Sequence, residues 1–182
     1  MNPIYWDLGD GLEVRTFTPD DAEASFALVD ANRERLRPWM IWEPQTKTAD
    51  DTRAFILRCL ASETDHEGNG MWIEGRLAGT MGLRVDPQDG AGEIGYWIGG
   101  EFEGQGIITR CCRRFFDFAF DELGLHRMEL CAASENARSR AVAARLGMRQ
   151  EGVLQDGVNT AEGFKDLVIY GLLDDEWRAQ RG

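Results

Sequence analysis

The middle of this 182-residue chain reads as a strand, then a helix, then a second strand. Residues 93–98 alternate between two faces, and residues 127–132 form a second strand-like stretch. Between them, from Ile108 to Leu123, apolar residues recur at helical spacing, and Gly124 is well placed to end the helix. Such a unit is a crossover that makes its two strands parallel, whereas short turns between the preceding strand patterns predict antiparallel pairs. The sheet is therefore expected to be mixed.

The remaining patterns complete one domain. Five further strands are predicted at residues 12–17, 70–74, 77–85, 148–154 and 164–173, and three further helices at residues 18–32, 48–63 and 136–145. A hydrophobic share of 43% is enough to form a core in a chain of this length. The sequence thus predicts an α/β (α+β) fold, a single domain over residues 1–182, with a mixed central sheet of about seven strands flanked by about four helices.

The composition indicates which classes of binding partner and which cellular location are expected for this chain. The chain has 32 acidic and 20 basic residues, for a formal net charge of -12, which argues against general binding to nucleic acid or to an anionic membrane and suits a cationic or amine substrate. The four cysteines lack C-x-x-C spacing, there are two histidines, and the start of the chain lacks a signal-peptide pattern. We therefore expect a cytoplasmic protein without a metal site or a membrane span.

A glycine-bearing turn connects the first crossover strand to the crossover helix. Gly104 and Gly106 allow a tight backbone turn, and the helix that follows presents unpaired N–H groups and the positive end of its dipole, an arrangement that suits a phosphate. A dinucleotide fingerprint is not complete, because Thr109 stands where its third glycine would be, and the residues of a P-loop do not follow. Taken alone, the glycines are equally consistent with turn geometry only.

The neighbours of this turn carry a family resemblance. Residues 93–98 precede it, Thr109 and Arg110 follow it, and Asn136-x-x-Ser139 and residues 145–148 come later. With these motifs the chain resembles the GCN5-related N-acetyltransferases over residues 12–177, and within that superfamily the branch that acetylates the N-terminus of ribosomal proteins. The resemblance implies a mixed sheet with flanking helices, acetyl-coenzyme A as cosubstrate, and an amine acceptor.

The resemblance also implies how the coenzyme is held. The backbone of the turn would bind the pyrophosphate, and the end of the preceding strand, with the next helix start, would bind the pantetheine. Two positions depart from the superfamily motif Gln/Arg-x-x-Gly-x-Gly/Ala, because it begins here with the acidic Glu103 and ends with Ile108. The implied coenzyme residues are Trp97, Ile98, Gly99, Glu103, Gly104, Gln105, Gly106, Ile107, Ile108, Thr109, Asn136 and Ser139.

Glu93 is the candidate general base. Strand alternation places it on one face with Gly95 and Trp97, away from the apolar Ile94 and Ile98. A carboxylate acting directly or through a water can deprotonate an α-amine, whose reference pKa is near ~8. The resemblance favours this role for a glutamate in this strand. The alternative is an exposed strand glutamate without a catalytic function.

Ser139 is the candidate acid. Asn136 and Ser139 lie three positions apart at a helix start, so both can face one groove, and Ser139 could donate a hydrogen bond to the departing thiolate. Many members of the superfamily use a tyrosine near this place, whereas the nearest tyrosine in this part of the sequence is Tyr170. The alternative is that Asn136 only caps the helix and that Ser139 is a surface residue.

Further residues are assigned by their surroundings. Trp39, Trp42 and Glu43 lie between two prolines and are candidates for the acceptor site, although core packing is the commoner fate of tryptophans. Cys111 and Cys112 fall on the apolar face of a helix without a nearby base, which argues against an acetyl-cysteine route. Basic residues that could offset the phosphate charge are Arg110, Arg113, Arg114, Arg138 and Arg140.

The sequence thus predicts an N-acetyltransferase that works through a ternary complex, with a protein N-terminal α-amine, such as that of a ribosomal protein, as acceptor. The same core would also serve acetylation of a small amine such as an antibiotic, a polyamine or an amino acid. A third hypothesis is a coenzyme A-binding module without catalysis, which the unusual Glu103 keeps open. Family habit implies a homodimer.

Overall fold

Eight strands, numbered in chain order, form one sheet over residues 3–181, which are the residues that the structure, a computed structural model, describes. They are β1 (Tyr5–Asp7), β2 (Leu12–Thr16), β3 (His66–Ile73), β4 (Arg76–Asp86), β5 (Ala91–Ile98), β6 (Arg127–Ala133), β7 (Arg149–Thr160) and β8 (Gly163–Leu173). Their order across the sheet is β1-β2-β3-β4-β5-β6-β8-β7. β5 and β6 are parallel and the other neighbours are antiparallel, which confirms the predicted mixed sheet.

Helices cover both faces of this sheet. One buried cluster joins Ile94 of β5 to the crossover helix, and a second joins Trp97 of the same strand to the helices that precede β3. The alternation predicted for β5 therefore separates two cores, with Ile94 packed on one face of the strand and Trp97 on the other. The helices are α1 (Ala22–Asp30), α2 (Arg33–Leu36), α3 (Ala49–Ala61), α4 (Ile107–Asp117), α5 (Ala137–Arg145) and α6 (Asp174–Arg181). Within residues 3–181, no helix combines the length and the apolar character needed to cross a membrane.

The parallel strands part soon after they meet. Their ladder pairs only Ala91–Glu93 with Arg127–Glu129, although β5 continues to Ile98 and β6 to Ala133. Over the same stretch β5 stays paired with β4, and β6 with β8. The result is a V-shaped opening with Glu93 at its vertex and the starts of α4 and α5 beyond its wide end. The opening begins well before Gly99 and Gly100, which directly follow β5.

The structure has more elements than the sequence predicted. The additional strand β1 pairs with β2 through a turn in which Gly9, Asp10 and Gly11 all have positive φ. A strand of three residues is too short to show an alternation pattern, and α2 is a single turn of helix. β7 runs on to Thr160, past the predicted end at residue 154, because it forms a long hairpin with β8.

Candidate active site

A cavity of about 720 Å³ lies where β5 and β6 part. Its walls include Glu93, Tyr96 and Trp97 of β5, Cys131 of β6 and Ser139 of α5. Tyr96 and Trp97 belong to opposite faces of the sheet, so the cavity reaches both faces through the opening. A concave site of this size, mostly apolar and with a few polar groups, is the usual form of a small-molecule site. It brings together residues that the sequence placed in separate motifs.

The two glycines of the turn before α4 have left-handed backbones, with φ of 75° at Gly104 and 74° at Gly106. An L side chain is strained there, which explains why both positions are glycine. A Cβ built on either would meet no atom of the described residues within 4 Å, so the space in front of the turn is open. α4 starts directly after Gly106 without a capping side chain from residues 3–181. Its first N–H groups are therefore available to an anion.

The side chains of this turn point in different directions. Ile107 and Ile108 are buried in the core, so each faces the opening only through its backbone. Gln105 donates a side-chain hydrogen bond to the Glu101 carbonyl, at 3.0 Å. The Thr109 Oγ1 accepts a hydrogen bond from the Arg145 Nε at 3.2 Å. The inward position of Ile108 explains how a bulky residue replaces the small one of the superfamily motif.

The acidic Glu103 is held by two arginines. Its carboxylate forms ion pairs with Arg35 of α2 and with Arg138 of α5, the latter at 2.8 Å. The Arg138 side chain is 76% exposed, so the rest of its guanidinium faces solvent beside the turn. Two cations facing one carboxylate leave a local excess of positive charge. The negative charge at the start of the motif is thereby compensated.

The other basic residues predicted near the turn form hydrogen bonds or ion pairs with other parts of the protein. Arg110 donates to the Leu8 carbonyl at 2.6 Å, and Arg113 to the Arg145 carbonyl at 3.3 Å. Arg114 pairs with Glu122 and Arg140 donates to Tyr170, which engages the tyrosine nearest to Ser139 in the sequence. Of the five arginines proposed from the sequence, Arg138 is the one whose side chain contacts the turn.

Ser139 meets a tyrosine that the sequence did not indicate. Its Oγ lies 2.9 Å from the Tyr96 Oη, and either hydroxyl can donate the hydrogen. Burial raises the pKa of Tyr96, so this residue stays protonated at neutral pH. The Asn136 Oδ1 accepts a hydrogen bond from the Ser139 N–H at 3.1 Å, so Asn136 caps α5. The tyrosine missing from the neighbourhood of Ser139 in sequence is supplied by β5.

Glu93 lies at the vertex of the opening and is paired. The Arg84 Nη2 donates to its Oε1 at 2.9 Å, and the Arg84 Nε lies 3.9 Å from the Oε1 of Glu67 on β3. Burial raises the pKa of Glu67, against the opposing effect of Arg84. Glu67 also lines the cavity, and the sequence did not single it out because its segment lies before the predicted start of that strand.

Aromatic side chains form the wall nearest α1 and α3. Trp42 and Trp97 have ring centroids 6.1 Å apart, and both line the cavity together with Trp39. The Lys165 Nζ of β8 lies 5.3 Å from the Trp39 ring centroid. Trp97, which was predicted as a coenzyme residue, is buried and also belongs to the core.

Glu43 lies outside the cavity lining. Its side chain has no exposed surface, and its two oxygens accept hydrogen bonds from the Arg33 Nη1 at 2.9 Å and the Arg37 Nε at 3.0 Å. Burial favours a raised pKa for Glu43, but the hydrogen bonds from Arg37 and Arg33 outweigh it and lower the pKa. In this geometry Glu43 fixes the segment that carries Trp39 and Trp42.

Two further sequence assignments can be placed. The Gly99 N–H donates to the Ala78 carbonyl at 2.8 Å, and the Gly99 carbonyl accepts a hydrogen bond from the Phe102 N–H at 3.0 Å, so both backbone groups of Gly99 already have partners. Burial raises the pKa of Cys111 to about 12 and raises that of Cys112 well above its usual value. A thiol with so high a pKa is a poor nucleophile. This geometry agrees with the interpretation that neither cysteine carries an acetyl group.

Comparison with known proteins identifies the family. Residues 12–149 match the family model of the acetyltransferase (GNAT) domain. The chain is 37% identical over 174 residues to "Putative ribosomal N-acetyltransferase YdaF" of Bacillus subtilis (strain 168), with 93% of this chain and 95% of that protein covered. It is 23% identical over 171 residues to the ribosomal-protein-serine acetyltransferase of Escherichia coli (strain K12), with 92% and 96% covered.

A solved structure agrees with this result. The fold is similar to that of RimL, the ribosomal L7/L12 alpha-N-protein acetyltransferase, in complex with coenzyme A, with a TM-score of 0.88 at 20% identity and with 95% and 99% of the two chains covered. At this identity the likeness concerns the fold. The chain therefore belongs to the GNAT acetyltransferase family and is an N-acetyltransferase that uses acetyl-coenzyme A.

Proposed function

We propose that this protein acetylates the N-terminal α-amine of a protein, with a ribosomal protein as the acceptor class. The observation that carries the proposal is the shape of the cavity, which joins a carboxylate at the vertex of the opening, Glu93, to a hydroxyl pair, Ser139 and Tyr96. A base and a hydrogen-bond donor in one cavity are what amine acetylation requires. The names of two relatives, which refer to ribosomal acetylation, support the acceptor class.

The residues present fit acetyl-coenzyme A. The uncapped start of α4 and the open space at Gly104 and Gly106 suit a pyrophosphate. Beyond Glu93 the backbones of β5 and β6 do not pair with each other, so pantetheine can lie between them and hydrogen-bond to them. When bound, the coenzyme supplies the acetyl thioester. Arg138, beside the turn, adds positive charge for the phosphates.

In this proposal Glu93 takes the first proton. The acceptor arrives as an ammonium, and Glu93 removes a proton from it directly or through a water and passes it to solvent. The nitrogen then forms a bond to the acetyl carbon, and the carbon–sulfur bond breaks. Ser139 protonates the departing sulfur, and the second proton lost by the nitrogen restores Ser139. The products are the acetylated amine, the free thiol and one released proton.

The acceptor wall suits a peptide that begins with a free amine. Trp39, Trp42 and Trp97 offer apolar surface, and the net charge of -12 favours a cationic partner. Acetylation of a small amine remains the second candidate, because a cavity of about 720 Å³ also accommodates a small molecule. A ribosomal-protein acceptor implies a cytoplasmic location. The homodimer suggested by family habit stays a prediction, which light scattering would test.

The test is release of free thiol from acetyl-coenzyme A with a panel of acceptors. We expect turnover with peptides that carry a free N-terminus and none with the same peptides blocked at the N-terminus. Mass spectrometry of ribosomal proteins from cells with and without this chain then identifies the acceptor. Turnover of small amines with no turnover of any peptide would replace the peptide acceptor by the small-amine alternative.

A further inference from the structure

Among the three carboxylates that line the cavity, Glu67 is the one that accepts no hydrogen bond from the described residues, 3–181. Asp51 accepts hydrogen bonds from the Thr48 N–H and hydroxyl, both at 2.9 Å, as part of the cap of α3. Glu93 accepts one from Arg84, at 2.9 Å. Within residues 3–181, Glu67 has only the longer contact with Arg84, at 3.9 Å, and no hydrogen bond to its carboxylate. Its lone pairs can therefore accept hydrogen bonds from a ligand.

The backbone of β3 gives Glu67 its position. The register of β3 against β4 shifts between His66 and Asn69, and Gly68 has a left-handed φ of 72°. Such a bulge redirects a side chain out of the regular strand pattern. The facing Gly82 leaves the necessary room, because a Cβ there would lie 2.9 Å from the Glu67 Cα. The half-buried Glu67 side chain then lines the cavity.

Glu67 and its charged neighbours together carry a net negative charge, because three carboxylates share two arginines. Arg84 is shared between Glu67 and Glu93, so one cation faces two carboxylates. The other charged groups near Glu67 are Asp65, which lies just before β3, and Arg58 on α3. Burial raises the pKa of Glu67, and this effect outweighs the attraction of Arg84 and Arg58 for its carboxylate. A cationic ligand would supply the missing stabilisation.

We propose that Glu67 is an acceptor-binding residue, whose carboxylate binds the ammonium group of the incoming amine at the cavity wall before Glu93 removes a proton from it. This inference rests on the proposed function and specifies its substrate class as amines that arrive protonated. The aromatic wall of Trp42 and Trp97 contacts the part of the acceptor that follows the amine. Binding and proton removal are thus carried by different carboxylates.

The binding test compares a serine-initiated hexapeptide with its N-acetylated form. Binding is followed by the fluorescence of the tryptophans that line the cavity, with coenzyme A present and no acetyl donor. We expect wild type to bind the free-amine peptide about ten to a hundred times more tightly than the blocked peptide, as a hydrogen bond to a charged group provides. Glu67→Gln should bring this ratio to about one. The matched control is Glu162→Gln, at an exposed glutamate outside the cavity lining, and should keep the wild-type ratio.

A kinetic comparison separates binding from chemistry. Glu67→Gln should raise KM for the peptide by about ten- to a hundredfold, the preference expected of wild type in the binding test. The value of kcat should stay near wild type, because a residue that only binds acts on KM. Glu67→Asp, which keeps the charge on a shorter side chain, should recover part of the loss. A wild-type binding ratio in Glu67→Gln, or a loss of kcat with unchanged KM, would overturn the assignment.

Failure of the proposed peptide acceptor has a different signature. The same comparison is made with phenethylamine and its uncharged analogue 2-phenylethanol. In one outcome, wild type binds neither peptide but binds phenethylamine more tightly than 2-phenylethanol. If Glu67→Gln then loses this preference, the assignment of Glu67 stands and the peptide acceptor is wrong. If wild type prefers neither amine over its uncharged partner, the assignment of Glu67 is wrong.

Discussion

The Tyr96 Oη lies 2.9 Å from the Ser139 Oγ, although 43 positions separate the two residues in the chain. Tyr96 belongs to β5 and Ser139 to α5, so the contact crosses the opening between β5 and β6. The Ser139 N–H is also held, by the Asn136 side chain. A serine whose hydroxyl contacts Tyr96 and whose backbone is held by Asn136 has a fixed position, and this is what a donor to a leaving thiolate needs.

The first prediction concerns this pair. Ser139→Ala should lower kcat by about ten- to a hundredfold, because it removes the proton donor to the sulfur. Tyr96→Phe keeps the ring and should lower kcat less, because it removes only the group that orients the serine. The double variant should be no slower than Ser139→Ala alone, as expected of two residues that act as a unit. Losses that multiply in the double variant would mean that the two hydroxyls act independently.

The second prediction concerns Glu103 and Arg138. Arg138→Gln should weaken binding of coenzyme A by about fivefold at low salt, and Glu103→Gln should strengthen it, because the first removes and the second adds net positive charge beside the turn. Both effects should shrink as the salt concentration rises. Calorimetric titration with coenzyme A measures them. Arg178→Gln, which makes the same charge change in an exposed pair on α6, is the control. An equal effect in that control would assign the result to overall charge.

The third prediction concerns Gly95, which lies between Glu93 and Trp97 on the cavity side of β5. Its φ is not positive, and a Cβ there would meet no described atom within 4 Å, so glycine serves here to leave space. Gly95→Ala should keep or raise the free energy of unfolding, by up to about 1 kcal/mol, and should lower kcat/KM because the methyl group occupies cavity space.

Gly152→Ala is the matched control for Gly95→Ala. Gly152 is also a strand glycine with open space at its Cβ position, and it lies outside the cavity lining. This variant should leave kcat/KM unchanged. Urea unfolding together with thiol release measures both quantities, and full activity of Gly95→Ala would show that the space is not used in the reaction.

The fourth prediction concerns the buried Glu43. Glu43→Gln should lower the free energy of unfolding at pH 7 by about 1–3 kcal/mol, because it weakens two hydrogen-bonded ion pairs, with Arg33 and Arg37. The pKa of Glu43 is lowered on folding from its usual 4.5, so its charge stabilises the folded state above that pH. The stabilisation is lost as the pH falls through the lowered value.

Urea unfolding of wild type and Glu43→Gln as a function of pH tests this account. The difference between the two proteins should be largest near neutral pH and should shrink in acid, below about pH 4.5. A difference that stays constant across this range would assign the effect to packing rather than to charge.

The parts of the site that follow from local sequence were predictable. Gly104 and Gly106 indicate a tight turn, and both have a left-handed backbone. The alternation around Glu93 places its side chain on the same side of the strand as Gly95. The crossover pattern was enough to predict that β5 and β6 are parallel, since the handedness and length of such connections leave few alternatives.

The parts that depend on distant pairing were not predictable. Tyr96 reads as one apolar residue of a strand, and only the packing of α5 across the opening brings it to Ser139. Glu67 lines the cavity because of a bulge, which single-sequence patterns do not indicate. The compensation of Glu103 needs Arg35 and Arg138, which come from two other helices.

The opening between β5 and β6 has a thermodynamic consequence. Beyond Glu93 the backbone groups of β5 and β6 that face each other do not form hydrogen bonds between the two strands. Pantetheine lying there would take the place of a strand. Any ligand that binds only the folded chain raises its stability by RT ln(1 + [L]/Kd), which is about 2.7 kcal/mol at a hundred times Kd. The protein would therefore resist unfolding and proteolysis in proportion to the coenzyme supply, so that its lifetime in a cell would follow the level of the donor it consumes.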